Sequence, residues 1–253
     1  MDVRRAAFSR PGSRETNQDS VGEATLSAGQ CFIVADGAGG HRGGAVASRL
    51  VVDKIIATLG GETAFGADVL RTAIAAASAE LNAHQKLDVA LSNMSSTVAV
   101  LCVDGAGETA WWGHLGDSRI YHFRRGIIES TTKDHSVVQS LIDAGVYKSG
   151  DVRGHLDRSL LFAAIGSEGD TLPTLAGPVT LQDGDAFLLC CDGVWEGLHE
   201  QQMETLLRRS GSVEEWSAAI EHAVFAQDKP NQDNFSAIAI WIGSPEAITV
   251  FGA

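Results

Sequence analysis

The chain is poor in the residues that mark linkers, staples and spans. Only five of its 253 residues are proline, and no Pro-rich or low-complexity tract separates one part from another. The four cysteines, Cys31, Cys102, Cys190 and Cys191, lie inside apolar runs. No C-x-x-C and no histidine at ligand spacing accompanies them, so they are expected to be reduced core thiols and not disulfides or zinc ligands. No cysteine is followed six positions later by an arginine, which excludes the thiolate-and-arginine phosphate site. The longest stretch without acid or base, Val89–Val103, is fifteen residues long and carries Ser92, Asn93, Ser95, Ser96 and Thr97, too short and too polar for a bilayer. No 7–15-residue apolar segment follows the opening Met1-Asp2-Val3-Arg4-Arg5, so no secretory signal is read there, and a cytoplasmic protein without membrane anchor is expected. Basic residues are scarce as well: 19 against 32 acidic, a net charge of −13. A chain-wide basic footprint for nucleic acid is thereby excluded. The first hundred residues are nearly neutral, with nine basic and ten acidic side chains, and the remainder carries most of the deficit. Glu200, Glu204, Glu214, Glu215 and Glu221 are read as solvated surface.

The residues present suffice for a core, with 44% hydrophobic and 20% charged, and the length favours one large domain. Apolar or alternating runs predict strands at Gln30–Ala35, Ser96–Val103, Thr109–Leu115, Arg119–Phe123, Pro178–Leu181, Ala186–Cys191 and Asn234–Trp241. Helical spacing predicts helices at Gly44–Leu59, Ala67–Leu87, Ser136–Ala144, His199–Arg209 and Val213–Ala226. On the second of these, His84 falls on the apolar stripe and is read as a packed core histidine. Strands, two adjacent helices, many strands, helices and a last strand do not alternate as βαβα, so antiparallel sheets flanked by helices are expected. Residues 145–157 are polar and without period, which suits a mobile excursion or an ordinary surface loop.

Three acids close apolar strand-like runs: Asp36 before Gly37, Asp192 before Gly193, and Asp233 before Asn234. One Asp-Gly is a turn signal; three carboxylates fixed at strand ends could hold a hard cation such as Mg²⁺ or Mn²⁺, which requires oxygen ligands. The glycine run 37–44 satisfies neither G-x-G-x-x-G nor G-x-x-x-x-G-K-[ST], so a metal-first site is favoured over a nucleotide loop. Asp183-Gly184-Asp185 precedes its strand and is read as a turn.

Seven motifs in order then carry a resemblance: Arg14-Glu15-Thr16-Asn17-Gln18-Asp19-Ser20, Val34 to His41, Ser96-Thr97, Gly116-Asp117-Ser118-Arg119, Lys133-Asp134-His135-Ser136, Cys191 to Glu196, and Gln232-Asp233-Asn234-Phe235. The set resembles the metal-dependent type 2C (PPM) protein Ser/Thr phosphatases, bacterial branch, over residues 9–241. The resemblance implies an α+β fold, a four-layer α-β-β-α sandwich with two central antiparallel sheets, formed by residues 1–253 as a single domain with a flap at 143–157. It implies that Asp36 bridges two Mn²⁺ or Mg²⁺ ions, that Gly37 offers its carbonyl to one and that Asp192 and Asp233 complete the other. It further implies that Asp19 acts through a metal-bound water, that Arg14 binds phosphate, and that Asp117 with Asp192 holds a third ion. For Asp117 a tight-turn role is an equal alternative, and Asn234 is expected to be structural.

The chain departs from the family where Ala38 stands at the position of a eukaryotic histidine, so the leaving-group acid is unnamed. His41 could substitute, or could simply start a helix. Gln18 stands where many relatives have glutamate, which removes a charge beside the second ion. The segment Arg158–Gly166 lacks a usual polar group. The activity implied is hydrolysis of phosphoserine and phosphothreonine in proteins, opposing a bacterial-type Ser/Thr kinase, by a monomer. The rivals are a catalytically silent module that binds a phosphoprotein or kinase, and a hydrolase of another phosphoester such as a nucleotide.

Overall fold

The computed structural model describes residues 1–147, 152–167, 172–227 and 230–244, apart from the His41 and Arg42 side chains. Its strands are β1 (Val3–Arg10), β2 (Asp19–Leu26), β3 (Gly29–Ala38), β4 (Ser95–Ser96), β5 (Val98–Asp104), β6 (Thr109–Leu115), β7 (Arg119–Arg124), β8 (Ile127–Thr131), β9 (Thr174–Thr180), β10 (Ala186–Cys190) and β11 (Phe235–Ile242). The helices are α1 (Gly40–Leu59), α2 (Ala67–Leu87), α3 (Val137–Asp143), α4 (Asp192–Trp195), α5 (Glu200–Arg209) and α6 (Val213–Phe225). One sheet runs β1-β11-β10-β7-β8 and the other β2-β3-β5-β6-β9, with β4 paired to β3. Every ladder is antiparallel, as the element order predicts.

Period-two alternation builds the layers. On β3, Cys31, Ile33 and Ala35 join the cluster under α1 and α2, while Phe32 and Val34 turn to the core between the sheets. β5 divides in the same way, Val98, Val100 and Cys102 outward and Ala99, Leu101 and Val103 inward. Across the central layer the Phe187 ring of β10 meets Trp112 of β6 edge-on at 5.8 Å. The outer face of the first sheet is closed by α6, whose Trp216 packs T-shaped on Trp241 at 6.4 Å and on Phe123 at 5.4 Å. Each such buried aromatic removes enough apolar surface for roughly 3 kcal/mol. The result is an α+β sandwich with two helices outside the second sheet and α5 and α6 outside the first.

The three strands the sequence reading omits, β1, β2 and β8, all lie at sheet edges. Edge strands bury little: β1 reads Val-Arg-Arg-Ala-Ala-Phe-Ser-Arg with only Phe8 buried, and β8 has no buried residue. Pro178 is tolerated because β9 is also an edge. Helix α1 begins at Gly40, four residues earlier than the predicted start at Gly44. His84 corrects the core assignment: its side chain is 44% exposed and faces Glu80 at 3.5 Å. None of the glutamates taken as solvated surface is buried, and several also hold partners. Glu200 accepts from Arg153 at 2.8 Å, Glu204 from the Ile128 N–H at 3.0 Å and Glu215 from the Gly211 N–H at 2.8 Å. All four cysteines are buried free thiols. Asp183 and Asp185 behave as turn residues, Asp185 taking Arg124 through two bonds of 2.9 and 2.7 Å.

The excursion at 145–157 is tied down at its far end. Val152 is buried, Arg153 donates to the carbonyls of Trp195 (2.6 Å) and Leu198 (3.3 Å), and Arg158 grips Glu196. Residues 148–151, the middle of the expected flap, lie outside the described residues. No helix among the described residues is long and apolar enough to cross a membrane.

Candidate metal centre

The inward row of β3 is Phe32, Val34 and then Asp36, so the carboxylate occupies the place where the inter-sheet core gives way to solvent. β2 carries Asp19 directly opposite it, the two residues being register partners in the antiparallel ladder. Like charges placed so oppose strand pairing. The main chain compensates at Asp36, whose N–H donates to Thr97 Oγ1 (3.0 Å) and whose carbonyl accepts from the Thr97 N–H (2.8 Å) and Ser96 Oγ (3.1 Å). Beyond it Gly37 is enclosed: a Cβ there would lie 1.9 Å from the Gly44 carbonyl oxygen and 2.9 Å from that of Gln18.

The other acids come from the ends of neighbouring elements. Asp192 opens α4 after β10, Asp233 precedes β11, and Asp117 stands in the turn between β6 and β7. With Arg14, Asp36 and Gly37 they line one open cleft of about 460 Å³. Six of the seven residues proposed as ligands or phosphate binders from sequence, Arg14, Asp36, Gly37, Asp117, Asp192 and Asp233, thus reach one place, and the seventh, Asp19, does not line that cleft. It is buried, with Oδ2 accepting from the Cys191 thiol at 3.2 Å and Oδ1 left without a hydrogen-bond partner among the described residues.

Burial first, and then the carboxylates' mutual repulsion, set the electrostatics. Burial pushes Asp36 well above the usual carboxylate range, with Asp192, Asp19, Asp117 and Asp233 adding to it. Asp192 is raised by burial and then by Asp117, Glu196, Asp233 and Asp19. Burial raises Asp117 to about 7, with help from Asp134, and Asp19 to about 6. Such a cluster either holds protons or needs cations. The donor set is all oxygen, which suits Mg²⁺ or Mn²⁺ and not a soft ion, and the orphaned Asp19 Oδ1 calls for one further donor. Among the described residues no three His, Cys, Asp or Glu side chains are already closed around a single point. Asp233 in particular is turned onto Arg14, Oδ2 to Nη2 at 2.9 Å, and its Oδ1 accepts from the Asn234 N–H at 2.8 Å. An Asp233 carboxylate that turned from Arg14 toward a cation would free the guanidinium for a phosphate.

Asn234 is the structural hub the sequence predicts. Its Nδ2 donates to the carbonyls of Pro11 (2.9 Å) and Thr16 (3.0 Å), and its Oδ1 accepts from the Gln18 N–H (2.8 Å). One side chain thus fixes the whole loop carrying Arg14. Gln18 earns its amide, since Nε2 donates to the Gly40 carbonyl at 2.7 Å, a bond an ionised glutamate could not make. The His41 side chain lies outside the described residues, and Ala38 is exposed. The sequence reading missed Cys191, which holds Asp19, and Trp195, whose Nε1 donates to the Asp117 carbonyl at 2.8 Å.

Residues 9–229 match the family model described as Protein phosphatase 2C. The serine/threonine phosphatase stp of Listeria monocytogenes is 31% identical over 209 residues, 80% of this chain and 81% of that protein. The serine/threonine protein phosphatase PstP of Mycobacterium tuberculosis is 31% identical over 217 residues. That match covers 83% of this chain, which spans only 40% of the PstP length. A crystal structure of the catalytic domain of PstP in complex with two manganese ions superposes with a TM-score of 0.80 at 28% identity, covering 96% of this chain and 99% of that one.

Proposed function

Since the chain belongs to the protein phosphatase 2C family, we propose that it hydrolyses phosphoserine and phosphothreonine in proteins with the help of divalent ions. The observation carrying this is the meeting of Asp36, Asp117, Asp192 and Asp233 with Arg14 in one cleft. Asp36 would bridge two Mn²⁺ or Mg²⁺ ions, with the Gly37 carbonyl on one and Asp192 and Asp233 on the other, and Asp117 would join Asp192 at a third. The manganese in the PstP catalytic domain supports the choice of metal. When bound, the ions supply a water that is nucleophilic at neutral pH and offset charge on the phosphoryl group.

The protein's own part is positional. Arg14 presents a planar fork to two oxygens of a phosphomonoester dianion, which orients phosphorus over the carboxylate cluster. Asp19, through its unpartnered Oδ1, accepts a hydrogen bond or a proton from water beside Asp36. Attack in line with the departing Ser or Thr oxygen needs no covalent enzyme intermediate. Residues 1–253 are read as one catalytic domain, monomeric and cytoplasmic, opposing a Ser/Thr kinase.

The test is turnover of p-nitrophenyl phosphate and of a phosphothreonine peptide with Mn²⁺, with and without chelator, in the wild type and in Asp36→Asn. Turnover lost in both perturbations is expected. Activity surviving both overturns the mechanism, a metal-loaded wild type without turnover indicates a silent binding module, and nucleotide hydrolysis faster than peptide hydrolysis reassigns the substrate.

A further inference from the structure

The stretch Lys133–Asp134–His135–Ser136 is part of the motif set, yet the chemistry above gives it nothing to do. Two of its consecutive residues grip the Asp117 turn from its two ends. His135 occupies both main-chain polar groups of Gly116: its N–H donates to the Gly116 carbonyl at 2.9 Å, and its Nδ1 accepts from the Gly116 N–H at 3.0 Å. Asp134, 4% exposed, takes Arg119 through two bonds of 2.7 and 2.8 Å. Asp117 and Ser118 are therefore strung between two anchors.

The anchors are themselves immobilised. Since Nδ1 of His135 is an acceptor, Nε2 carries the proton and donates to Thr174 Oγ1 on β9 at 2.9 Å. The imidazole stacks on His114 at 4.6 Å and 8°, and Phe162 meets it edge-on at 5.7 Å. The Arg119 guanidinium lies 3.6 Å above the Trp195 ring, whose own N–H holds the Asp117 carbonyl. Ser118 Oγ and Thr97 Oγ1 are 2.6 Å apart. Gly116 takes φ +102°, a turn conformation that its lack of a Cβ permits. What this scaffolding leaves toward the cleft is the Asp117 carboxylate.

We propose that His135, together with Asp134, is a positioning residue that holds Asp117 in place as a ligand for a third, weaker-bound divalent ion. The inference rests on the phosphatase reading above. Ions of this kind tolerate little misplacement of a ligand oxygen, and partners that orient a ligand typically change affinity 10–100-fold.

The experiment is Mn²⁺ binding by calorimetry and by electron paramagnetic resonance of the free ion. The proteins are the wild type, Asp117→Asn, His135→Leu, His135→Gln, His135→Asn and the Asp117→Asn/His135→Leu double variant. The wild type is expected to show a tight class and one weaker ion. His135→Leu should weaken only the weaker ion, roughly 10–100-fold, with the tight class within about twofold. His135→Asn, whose Oδ1 falls near the Nδ1 position, should restore it, and His135→Gln, which cannot place an acceptor there, should not. His135→Gln also reads the same quantity if the leucine variant does not fold. The double variant should be no weaker than Asp117→Asn alone, because nothing is left to position. The proposal is overturned by a weak ion unaffected in His135→Leu or His135→Gln, by an equal loss across all ions, by an additive double variant, or by a wild type that binds two ions only. Failure of the phosphatase reading looks different: the wild type then binds no Mn²⁺ or turns over no phosphopeptide.

Discussion

Asp117→Asn should make the metal-free protein more stable, by an amount set by pH. The Asp117 carboxyl titrates near 7 in the folded chain against 3.8 for an ordinary aspartate, chiefly because it is buried and secondarily because Asp134 is near. A group whose folded pKa is raised contributes stability that is present below about 4 and lost as pH rises through 7. Some three units at 1.36 kcal/mol each amount to about 4 kcal/mol at pH 8 and to less than ~1 kcal/mol at pH 4. Asparagine keeps the shape and never ionises, so the difference between variant and wild type isolates this one group. Urea unfolding in chelator at pH 4, 6 and 8 measures it. The expected gain at pH 8 corresponds to roughly 8–16 °C in Tm for a chain of this size, and saturating Mn²⁺ should narrow it by stabilising the wild type more. A variant no more stable than wild type at pH 8, or a gain independent of pH, would refute the argument that the buried carboxylate opposes folding until cations arrive.

Three further outcomes follow from named contacts. Arg14→Ala should leave stability within about 1 kcal/mol, since its ion pair with Asp233 is half-exposed, while raising KM for a phosphopeptide at least ~10-fold through loss of phosphate contacts; steady-state kinetics distinguishes this from a fall in kcat. Asn234→Ala strands three main-chain groups around the Arg14 loop and should lower stability by about 2–4 kcal/mol in denaturant titrations. Gly37→Ala drives a methyl to within 1.9 Å of the Gly44 carbonyl and should destabilise by about 3 kcal/mol or more, with Mn²⁺ affinity reduced in whatever folds.

The interior strands and long helices were readable because burial on both faces writes itself as apolar runs, as in Phe32-Ile33-Val34-Ala35 and Leu188-Leu189-Cys190-Cys191. Edge strands left weaker marks. Without β2, Asp19 and Asp36 read as two separate acids, and their direct opposition in the ladder could not be seen. The metal-site candidates were legible because strand-terminal carboxylates followed by Gly or Asn are local patterns. The devices that orient them are not local: Cys191 reaches Asp19 across 172 positions and Trp195 reaches Asp117 across 78. His84 misled because a helical stripe gives direction without depth, and α2 turns that position to its rim.

The register that sets Asp19 against Asp36 begins at the other end of the same hairpin, where Leu26 faces Gly29 across the turn Ser27–Ala28. Eight paired residues, roughly 24 Å of strand, separate that turn from the carboxylates. The turn therefore acts as a gauge. A single residue inserted there that shifted the pairing would carry along the ladder. It would leave Asp36 opposite a neighbour of Asp19 and swing the Asp19 carboxylate to the helix side of the sheet. The length of a remote two-residue connection is thus as much a part of the cation site's specification as any of its oxygen atoms.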